Sequence, residues 1–258
     1  MKLLIHREKR ENVDGRERII SKQKQYFISD LSRDVETLYG RIKKSDLCSP
    51  SGSIIISSSG QEFVVLDVSF VDMYKHLKKF AQTIPLKDIG LIIAETGINK
   101  DSVVVEGGAG SAALSIALAN VAKCVFSYDI RDECLKMSKS NIEFVGFTNI
   151  VLKNADLYEH ILERDVDVVC FDVPEPHRAV KNAVVALKVG GFLVNYSIHV
   201  SQVQKFVEEV KKHDSLMCVK TVELIERPWA VDEKRLRPNN SGIGHSGFLT
   251  FVRKIRAH

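Results

Sequence analysis

The sequence predicts an α/β fold in which a mostly parallel sheet follows a small N-terminal β domain. From residue 102 onward, short apolar strands such as 103–105 and 166–171 alternate with segments of helical periodicity. Continuous apolar strands separated by helices are typical of a Rossmann-like parallel sheet with helices on both faces. No helix separates the last two predicted strands, 217–226 and 247–252, so we expect an antiparallel C-terminal strand to complete the sheet.

The individual elements follow from apolar spacing and turn residues. Residues 26–67 alternate short β-rich runs with turn signals, which predicts the small β domain. Apolar residues three or four apart predict a helix over 70–82, and Pro85 and Gly97 bound a second helix. Further along, the predicted strands are 103–105, 124–128, 150–152, 166–171 and 192–194, and the predicted helices are 111–121, 132–144, 178–187 and 200–212.

Length and composition allow one large domain and one small one. The 258 residues are 45% hydrophobic and 27% charged, which is enough to bury a sizeable core. The N-terminus becomes charged too early for a signal peptide and no long apolar run occurs, so we expect a cytoplasmic protein without membrane contact. The expected domains are 1–68 (small N-terminal β domain), 69–98 (linking helices) and 99–258 (main α/β domain).

Cysteine usage and charge narrow the classes of ligand. The five cysteines are scattered without a C-x-x-C pair, so no metal site is predicted, and Cys124 and Cys170 lie in apolar runs that we expect to be buried. The net charge is +4, which permits a polyanionic partner without requiring one. The basic residues gather at 2–24, 41–44, 227–237 and 253–256.

A glycine-rich loop joins the first strand of the sheet to its helix, with the sequence Glu106-Gly-Gly108-Ala-Gly110-Ser111-Ala112. Small residues let the backbone approach a ligand, and free N–H groups at a helix start bind electronegative atoms. We therefore predict a nucleotide-like cofactor on Gly108, Gly110, Ser111 and Ala112. The glycines also fit the dinucleotide fingerprint. Glu106 favours S-adenosylmethionine instead, because a carboxylate attracts its sulfonium and amino group but repels a pyrophosphate.

Acidic residues stand at the ends of the next two strands. Asp129 ends the second strand, where a carboxylate can accept hydrogen bonds from both ribose hydroxyls. Ala155 and Asp156 follow the third strand, where an adenine amino group would arrive. Capping of a helix or turn is the alternative role for either acid.

Asp172 is the candidate catalytic residue and a candidate cofactor contact. It follows the fourth strand in Asp172-Val-Pro174-Glu175-Pro176, where two prolines stiffen the backbone at the ligand-binding edge of the sheet. Methylation of adenine at N1 makes the ring cationic, and Asp172 could accept a hydrogen bond from the exocyclic amino group and stabilise that charge. A helix cap is the alternative role, and Glu175 is expected to face solvent or an arginine.

Four segments together resemble the tRNA adenine-N1 methyltransferase family (TrmI) in its archaeal form. They are Gln82-Thr-Ile-Pro-Leu-Lys87-Asp88, Glu106-Gly-Gly-Ala-Gly-Ser111, Asp172-Val-Pro-Glu-Pro176 and Gly244-His245-Ser-Gly-Phe-Leu-Thr-Phe-Val-Arg253. The likeness runs from about residue 26 to residue 254, and the last two segments are the more specific ones. It implies a class I methyltransferase, usually a homotetramer, that uses S-adenosylmethionine to methylate adenosine N1 in the tRNA T-loop, at position 58 and in archaeal members also at position 57.

The resemblance also assigns roles position by position. Asp172 matches the family's catalytic aspartate, Asp129 its ribose-binding acid and Asp156 its adenine-binding acid. The cofactor loop corresponds to Glu106 and Gly108 to Ala112, and Ile84 lies near the methionine end.

Two departures from the family pattern fall in the cofactor site. Ala112 replaces the usual last glycine of the loop, and Asp129 stands where glutamate is common.

Binding of RNA would depend on the basic segments, with Arg235, Arg237 and His245 as the candidate contacts.

Alternative functions stay open on the sequence alone. One is a class I methyltransferase with a protein or small-molecule acceptor, which would not need the basic termini or the D-x-P-x-P segment. Another is an inactive RNA-binding partner subunit, against which the intact Glu106, Asp129 and Asp172 argue. A nicotinamide dehydrogenase is the weakest alternative.

Overall fold

The computed structural model describes residues 1–13, 16–80, 82–232, 235–240, 242 and 244–257. It forms two compact units, Met1–His76 and Leu77–His258. Outside the described residues lie Ala81 of the predicted helix over 70–82, Lys234 of the basic segment 227–237, and residues 14–15 of the basic segment 2–24.

The first unit is rich in β structure, as the sequence predicts for its larger part. Within the described residues, a four-stranded antiparallel sheet has the order β4-β1-β8-β7. Strands β1 and β4 belong to this sheet, so it includes part of the first 25 residues, to which the family resemblance does not extend. The elements are β1 (Lys2–His6), β2 (Lys9–Val13), β3 (Arg16–Ser21), β4 (Lys24–Ile28), β5 (Val35–Thr37), β6 (Gly40–Ile42), α1 (Lys44–Leu47), β7 (Ile54–Ile56), β8 (Glu62–Asp67) and α2 (Phe70–Lys75).

Helix α2 is shorter than the predicted helix over 70–82, so that prediction is wrong in length. The helix ends at Lys75, with His76 as its C-cap. Two residues later, the backbone N–H of Lys78 donates to Oδ1 of Asn141 at 3.0 Å, and the Lys78 carbonyl accepts from Nδ2 of Asn141 at 2.9 Å. Because a distant side chain takes these backbone groups, they are not available for a continued helix. Apolar spacing alone carries no information about such a partner.

The second unit contains the predicted alternation of strands and helices. Its elements are α3 (Leu86–Thr96), β9 (Val103–Gly107), α4 (Ala113–Ala119), β10 (Cys124–Asp129), α5 (Asp132–Val145), β11 (Ile150–Asn154), β12 (Val166–Phe171), a 3₁₀ turn (Pro176–Ala179), α6 (Val180–Ala186), β13 (Leu187–Ser197), α7 (Val200–Val210), β14 (Leu216–Glu223), β15 (Trp229–Asp232), β16 (Arg235–Pro238) and β17 (Phe248–Lys254). The predicted boundary residues Pro85 and Gly97 are the N-cap and the left-handed C-cap of α3. The hairpin of β15 and β16 was not predicted.

The main sheet has the predicted topology. Among the described residues it contains seven strands in the order β11-β10-β9-β12-β13-β17-β14. All neighbours from β11 to β13 are parallel, and β17 is antiparallel to both β13 and β14. The α/β fold with an antiparallel C-terminal strand is therefore confirmed. The chain leaves the central β9 toward β10 and returns on its other side at β12, which makes the carboxyl end of β9 the expected ligand-binding crevice.

The cysteine predictions are only partly correct. Cys170 is buried in β12, whereas Cys124 is half-buried because it begins β10 at the edge of the core. The described part of the chain contains no cluster of side chains able to hold a metal ion. It also contains no helix long and apolar enough to cross a membrane.

Lys254 is a buried lysine whose hydrogen bonds to backbone carbonyls can be tested by substitution. Its side chain is buried, and Nζ donates to the carbonyls of Val184 and Leu187 at 2.7 Å each, at the end of α6. Lys254→Met keeps the aliphatic stem but removes both donors, so we expect the free energy of unfolding to fall by about 1–3 kcal/mol. Urea unfolding measures it. The control Lys100→Met, at an exposed position, should change stability by less than about 0.5 kcal/mol; equal losses would contradict the prediction.

Candidate active site

The carboxyl ends of four parallel strands bring most of the predicted cofactor and catalytic residues together in two adjoining crevices. The first crevice, of about 150 Å³, is lined by Ile84, Glu106, Gly108, Gly110, Ser111 and Asp172 among others. The second crevice, of about 340 Å³, is lined by Gly108, Asp129, Ala155, Asp156 and Asp172 among others. Gly108, Arg131 and Asp172 line both. These three residues therefore mark the junction of the crevices.

The turn at Gly108 can only be made by glycine. Its φ is +96°, and a Cβ placed there would lie 2.2 Å from the carbonyl oxygen of Asp172. The backbone N–H groups of Gly108 and Ala109 both donate to the carbonyl of Tyr128, at 2.9 and 3.0 Å. The loop is thus held against β10 on one side and against the residue after β12 on the other.

Ala112, where the resembled family has glycine, adopts a left-handed conformation with φ +60° and ψ +19°. A non-glycine residue pays about 1–2 kcal/mol for this conformation. Its methyl group is fully buried, and Ala112 lines neither crevice. The departure from glycine therefore strains the backbone without narrowing the space for a ligand.

Glu106 is buried at the end of β9 and lines the first crevice. Burial raises the pKa of its carboxyl to about 8, although hydrogen bonds from the hydroxyls of Ser115 and Ser127 act in the opposite direction. The side chain is therefore largely protonated near neutral pH when nothing faces it. A cation entering the first crevice would favour its ionised form.

Asp129 is also buried, but its environment lowers the pKa of its carboxyl instead of raising it. Oδ2 accepts from the N–H of Gly110 and Oδ1 from the N–H of Arg131, each at 2.9 Å. Burial raises the pKa of Asp129, but hydrogen bonds from the Arg131 side chain and from these two amides outweigh it, so the net pKa lies below the usual range. Asp129 is thus an ionised acceptor at the mouth of the second crevice.

Asp172 follows β12 in a segment held from several directions. Its N–H donates to the Gly107 carbonyl at 2.9 Å, and Nε2 of Gln202 donates to the Pro174 carbonyl at 3.0 Å. Asp172 is exposed to solvent on the open side of the crevices, and partial desolvation by the protein packed around its carboxyl raises the pKa to about 6. Glu175 is exposed and pairs with Arg178 at 2.8 Å, as the sequence predicts.

The second crevice ends at a turn made by the residues after β11. Ala155 and Asp156 are half-buried, and Oδ1 of Asp156 accepts from the N–H of Tyr158 at 2.8 Å. The hydroxyl of Tyr158 in turn accepts from the N–H of Glu175 at 3.0 Å. This wall of the crevice therefore connects the third strand end to the segment that carries Asp172.

Two of the four resembled segments meet in a buried network to which sequence analysis assigned no function. Nζ of Lys87 donates to both carboxylate oxygens of Asp88 at 2.9 Å, to the Leu224 carbonyl at 2.6 Å and to Oγ of Ser246 at 2.7 Å. Ser246 also donates to Asp88 at 2.9 Å, and its carbonyl accepts from the hydroxyl of Tyr196. The network fixes the start of α3 to the segment that leads into β17.

The three candidate RNA contacts lie outside the crevices. Arg235 and Arg237 are exposed on β16, where Arg235 pairs with Asp232 at 2.7 Å and Arg237 donates to Asn240 at 2.6 Å. His245 bonds to Glu223 and to the Ile198 carbonyl, the latter at 3.1 Å. The hydrogen bond to Glu223, followed by the one to Ile198, raises the pKa of the His245 ring. None of the three lines either crevice.

Several residues that line the first crevice are not among those predicted from the sequence. Phe80 is 63% exposed although it is apolar. Arg131 and Cys134 come from the start of α5, two and five residues after Asp129. The only available signal was their position after a strand-end acid, because helix α5 starts at Asp132 and its first turn must face the same edge of the sheet.

Comparison with known proteins places this geometry in a family. A family model described as "tRNA methyltransferase complex GCD14 subunit" matches residues 73–246. The chain is 34% identical over 260 residues to tRNA (adenine(57)-N(1)/adenine(58)-N(1))-methyltransferase TrmI of Methanocaldococcus jannaschii, covering 89% of this chain and 91% of that protein. It is 28% identical over 211 residues to a tRNA (adenine(58)-N(1))-methyltransferase TrmI of Thermus thermophilus, covering 80% and 82%.

Solved structures support the fold. An S-adenosylmethionine-dependent O-methyltransferase from Thermotoga maritima matches with a TM-score of 0.82 at 24% identity, covering 100% of this chain and 94% of that one. The tRNA (m1A58) methyltransferase TrmI from Aquifex aeolicus matches with a TM-score of 0.78 at 21% identity, covering 98% and 97%. Both likenesses extend over the N-terminal β region as well as the main sheet.

Proposed function

We propose that this chain, which belongs to the GCD14 family of tRNA methyltransferases, transfers a methyl group from S-adenosylmethionine to N1 of adenosine in the T-loop of tRNA. The target is position 58, or positions 57 and 58 as in the name of the Methanocaldococcus relative. The observation that carries the proposal is Asp172, whose carboxyl stands on a hydrogen-bonded backbone segment at the junction of two crevices that have complementary ligand chemistry. A cytoplasmic location and a homotetrameric assembly belong to the same proposal.

The crevices fit S-adenosylmethionine, which supplies an electrophilic methyl group on a sulfonium. Asp129 offers ionised oxygens for the ribose hydroxyls, with Ala155 and Asp156 beside the adenine. Glu106 faces the cationic methionine end in the first crevice, together with Ile84 and the loop residues 108–111. Gly108 lets this loop lie against Asp172, where any Cβ would collide with the protein backbone. The chain thereby holds the donor next to its candidate catalytic carboxyl.

Asp172 acts on the acceptor base. Adenine N1 has its own lone pair and needs no general base, but the product ring is cationic. The Asp172 carboxylate accepts a hydrogen bond from the exocyclic amino group and stabilises the positive charge as it develops. Because N1 lies on the Watson–Crick edge, the target nucleotide must leave its paired or stacked position before it reaches Asp172.

The raised pKa of Asp172 predicts the acid side of the pH profile. Only the ionised carboxylate stabilises a cation, so the rate should fall as the pH drops through about 6, approaching a tenfold loss per pH unit below it. The fall of the rate is measured in single-turnover experiments at saturating S-adenosylmethionine and tRNA, from about pH 5 to about pH 8, on both sides of the pKa of about 6. The residual rate of Asp172→Asn should lack this limb, and a variant that retains it would assign the titration to another group.

Exposed cations outside the crevices bind the RNA backbone in this proposal. Replacing Arg235 and Arg237 together by glutamine should weaken tRNA binding about tenfold or more at moderate salt and reduce its salt dependence. Affinity for S-adenosylhomocysteine should not change, because neither residue lines a crevice. Filter binding and calorimetry measure the two affinities. Equal loss of both would contradict the assignment. His245, exposed and with its pKa raised, is a third contact of this kind.

The experiment that tests the function is methyl transfer from radiolabelled S-adenosylmethionine to an unmodified tRNA transcript, followed by nucleoside analysis. Label in 1-methyladenosine is the expected result. Transcripts in which the T-loop adenosines at positions 57 and 58 are replaced singly and together locate the target. Cofactor binding without label in the wild-type transcript would reject the tRNA substrate.

A further inference from the structure

The Asp129 carboxylate is fully engaged by the protein itself. A carboxylate has about four lone-pair positions. Two are occupied by the N–H groups of Gly110 and Arg131, at 2.9 Å each. The other two face the Arg131 side chain, with Nε 3.3 Å from Oδ1 and Nη2 3.4 Å from Oδ2. Two ribose hydroxyls can therefore reach this carboxylate only if the Arg131 side chain moves away.

The Arg131 side chain is well placed to move. Its two hydrogen bonds to Asp129 are long for a charge-assisted pair, and the side chain is 59% exposed. Only the guanidinium of this pair is solvated by water, because the Asp129 side chain is 4% exposed, so the arginine is the partner that can leave. The two backbone N–H bonds, in contrast, are short and hold the carboxylate in place when the side chain leaves. Asp129 can thus exchange the Arg131 side chain for another hydrogen-bonding partner while its carboxylate stays in place.

The position of Arg131 determines what its displacement does. Arg131 lines both crevices, together with Gly108 and the candidate catalytic Asp172. When a neutral diol takes over Asp129, the guanidinium loses its counterion at the junction of the two crevices, where Asp172 also lies. A guanidinium without a counterion binds phosphate strongly through paired N–H donors.

Resting on the proposed function, we propose that the cofactor ribose displaces Arg131 from Asp129 and that the released guanidinium binds a phosphate next to the target adenosine. The two ligands are then coupled through one side chain. Bound cofactor strengthens RNA binding, and by thermodynamic reciprocity bound RNA strengthens cofactor binding by the same factor. The arrangement favours RNA binding by the protein that already carries its methyl donor.

The test measures binding without turnover, with S-adenosylhomocysteine and an unmodified tRNA transcript as probes. For the wild-type protein, saturating S-adenosylhomocysteine should tighten tRNA binding about fivefold or more. In Arg131→Gln this coupling should disappear, and S-adenosylhomocysteine alone should bind as tightly as to the wild type or more tightly, because its competitor for Asp129 is gone. Arg33→Gln is the matched control, since Arg33 is 80% exposed, pairs with Asp30 at 3.1 Å, lines neither crevice and lies outside the basic segments. It should behave like the wild type.

Two results would overturn the proposal. Undiminished coupling in Arg131→Gln would show that the guanidinium does not connect the two ligands. Weaker binding of S-adenosylhomocysteine alone to Arg131→Gln would show that Arg131 is a cofactor contact and not its competitor. Failure of the proposed function is separate, because it would appear as absent methyl transfer to tRNA by the wild-type protein, while the cofactor comparison would still decide the competition for Asp129.

Discussion

Asp172→Asn is expected to lower the rate of methyl transfer about 100-fold or more while leaving the fold and cofactor affinity in place. Loss of one preorganised electrostatic contact to a developing charge has an effect of this size. The asparagine amide has the shape of the carboxyl but no negative charge to oppose the charge that forms on the adenine ring. The segment is held because its Asp172 N–H donates to the Gly107 carbonyl and its Pro174 carbonyl accepts from the Gln202 side chain, and the substitution leaves both bonds unchanged.

Single-turnover rates with tRNA and calorimetry with S-adenosylhomocysteine separate the effect on chemistry from the effect on binding. Glu175→Gln is the matched control, because it removes a carboxylate three residues away that is exposed and paired with Arg178. Its rate should stay within about twofold of the wild type, as for a surface ion pair. An unchanged rate in Asp172→Asn, or an equal loss in the control, would remove Asp172 from the mechanism.

The features that sequence analysis predicted are those set by local chemistry. The glycine loop and the acids at strand ends could be found because each follows an apolar strand, and the carboxyl ends of parallel strands meet at one edge. Glu106, Asp129 and Asp172 could thus be placed near one another from the sequence alone. The position of Asp172 at the junction of two crevices could not, because it depends on how Gly108 packs against it.

The features that sequence analysis missed depend on distant partners. The helix predicted over 70–82 is interrupted because Asn141, more than sixty residues away, binds the backbone of Lys78. The ammonium of Lys87 and the hydroxyl of Ser246 are 159 residues apart and meet in the buried network. Protonation is a third case, since burial, together with the nearby carboxylates of Asp172 and Asp129, raises the pKa of Glu106 to about 8 although two serine hydrogen bonds lower it. Neither the spacing of apolar residues nor the composition of the sequence indicates which distant residues will meet or how deeply a side chain will be buried.

Gly108→Ala is expected to have the second large effect, on stability and cofactor binding together. A side chain at φ +96° costs about 1–2 kcal/mol. The added Cβ would also lie 2.2 Å from the Asp172 carbonyl oxygen, a backbone atom that cannot rotate away, and overpacking of this kind costs about a further 1–3 kcal/mol. Relief of the clash requires the loop or the Asp172 segment to shift, and either shift alters the junction of the two crevices.

Gly190→Ala separates the cost of a positive φ from the cost of the clash with the Asp172 carbonyl oxygen. Gly190 has a similar φ of +88°, but a Cβ there meets nothing within 4 Å. Urea unfolding should therefore show a loss of about 1–2 kcal/mol for Gly190→Ala, with unchanged affinity for S-adenosylhomocysteine. Gly108→Ala should lose about 2–5 kcal/mol and bind S-adenosylhomocysteine at least about tenfold more weakly. If both variants lost the same stability and kept full cofactor affinity, the close approach of the loop to Asp172 would not be what requires glycine at position 108.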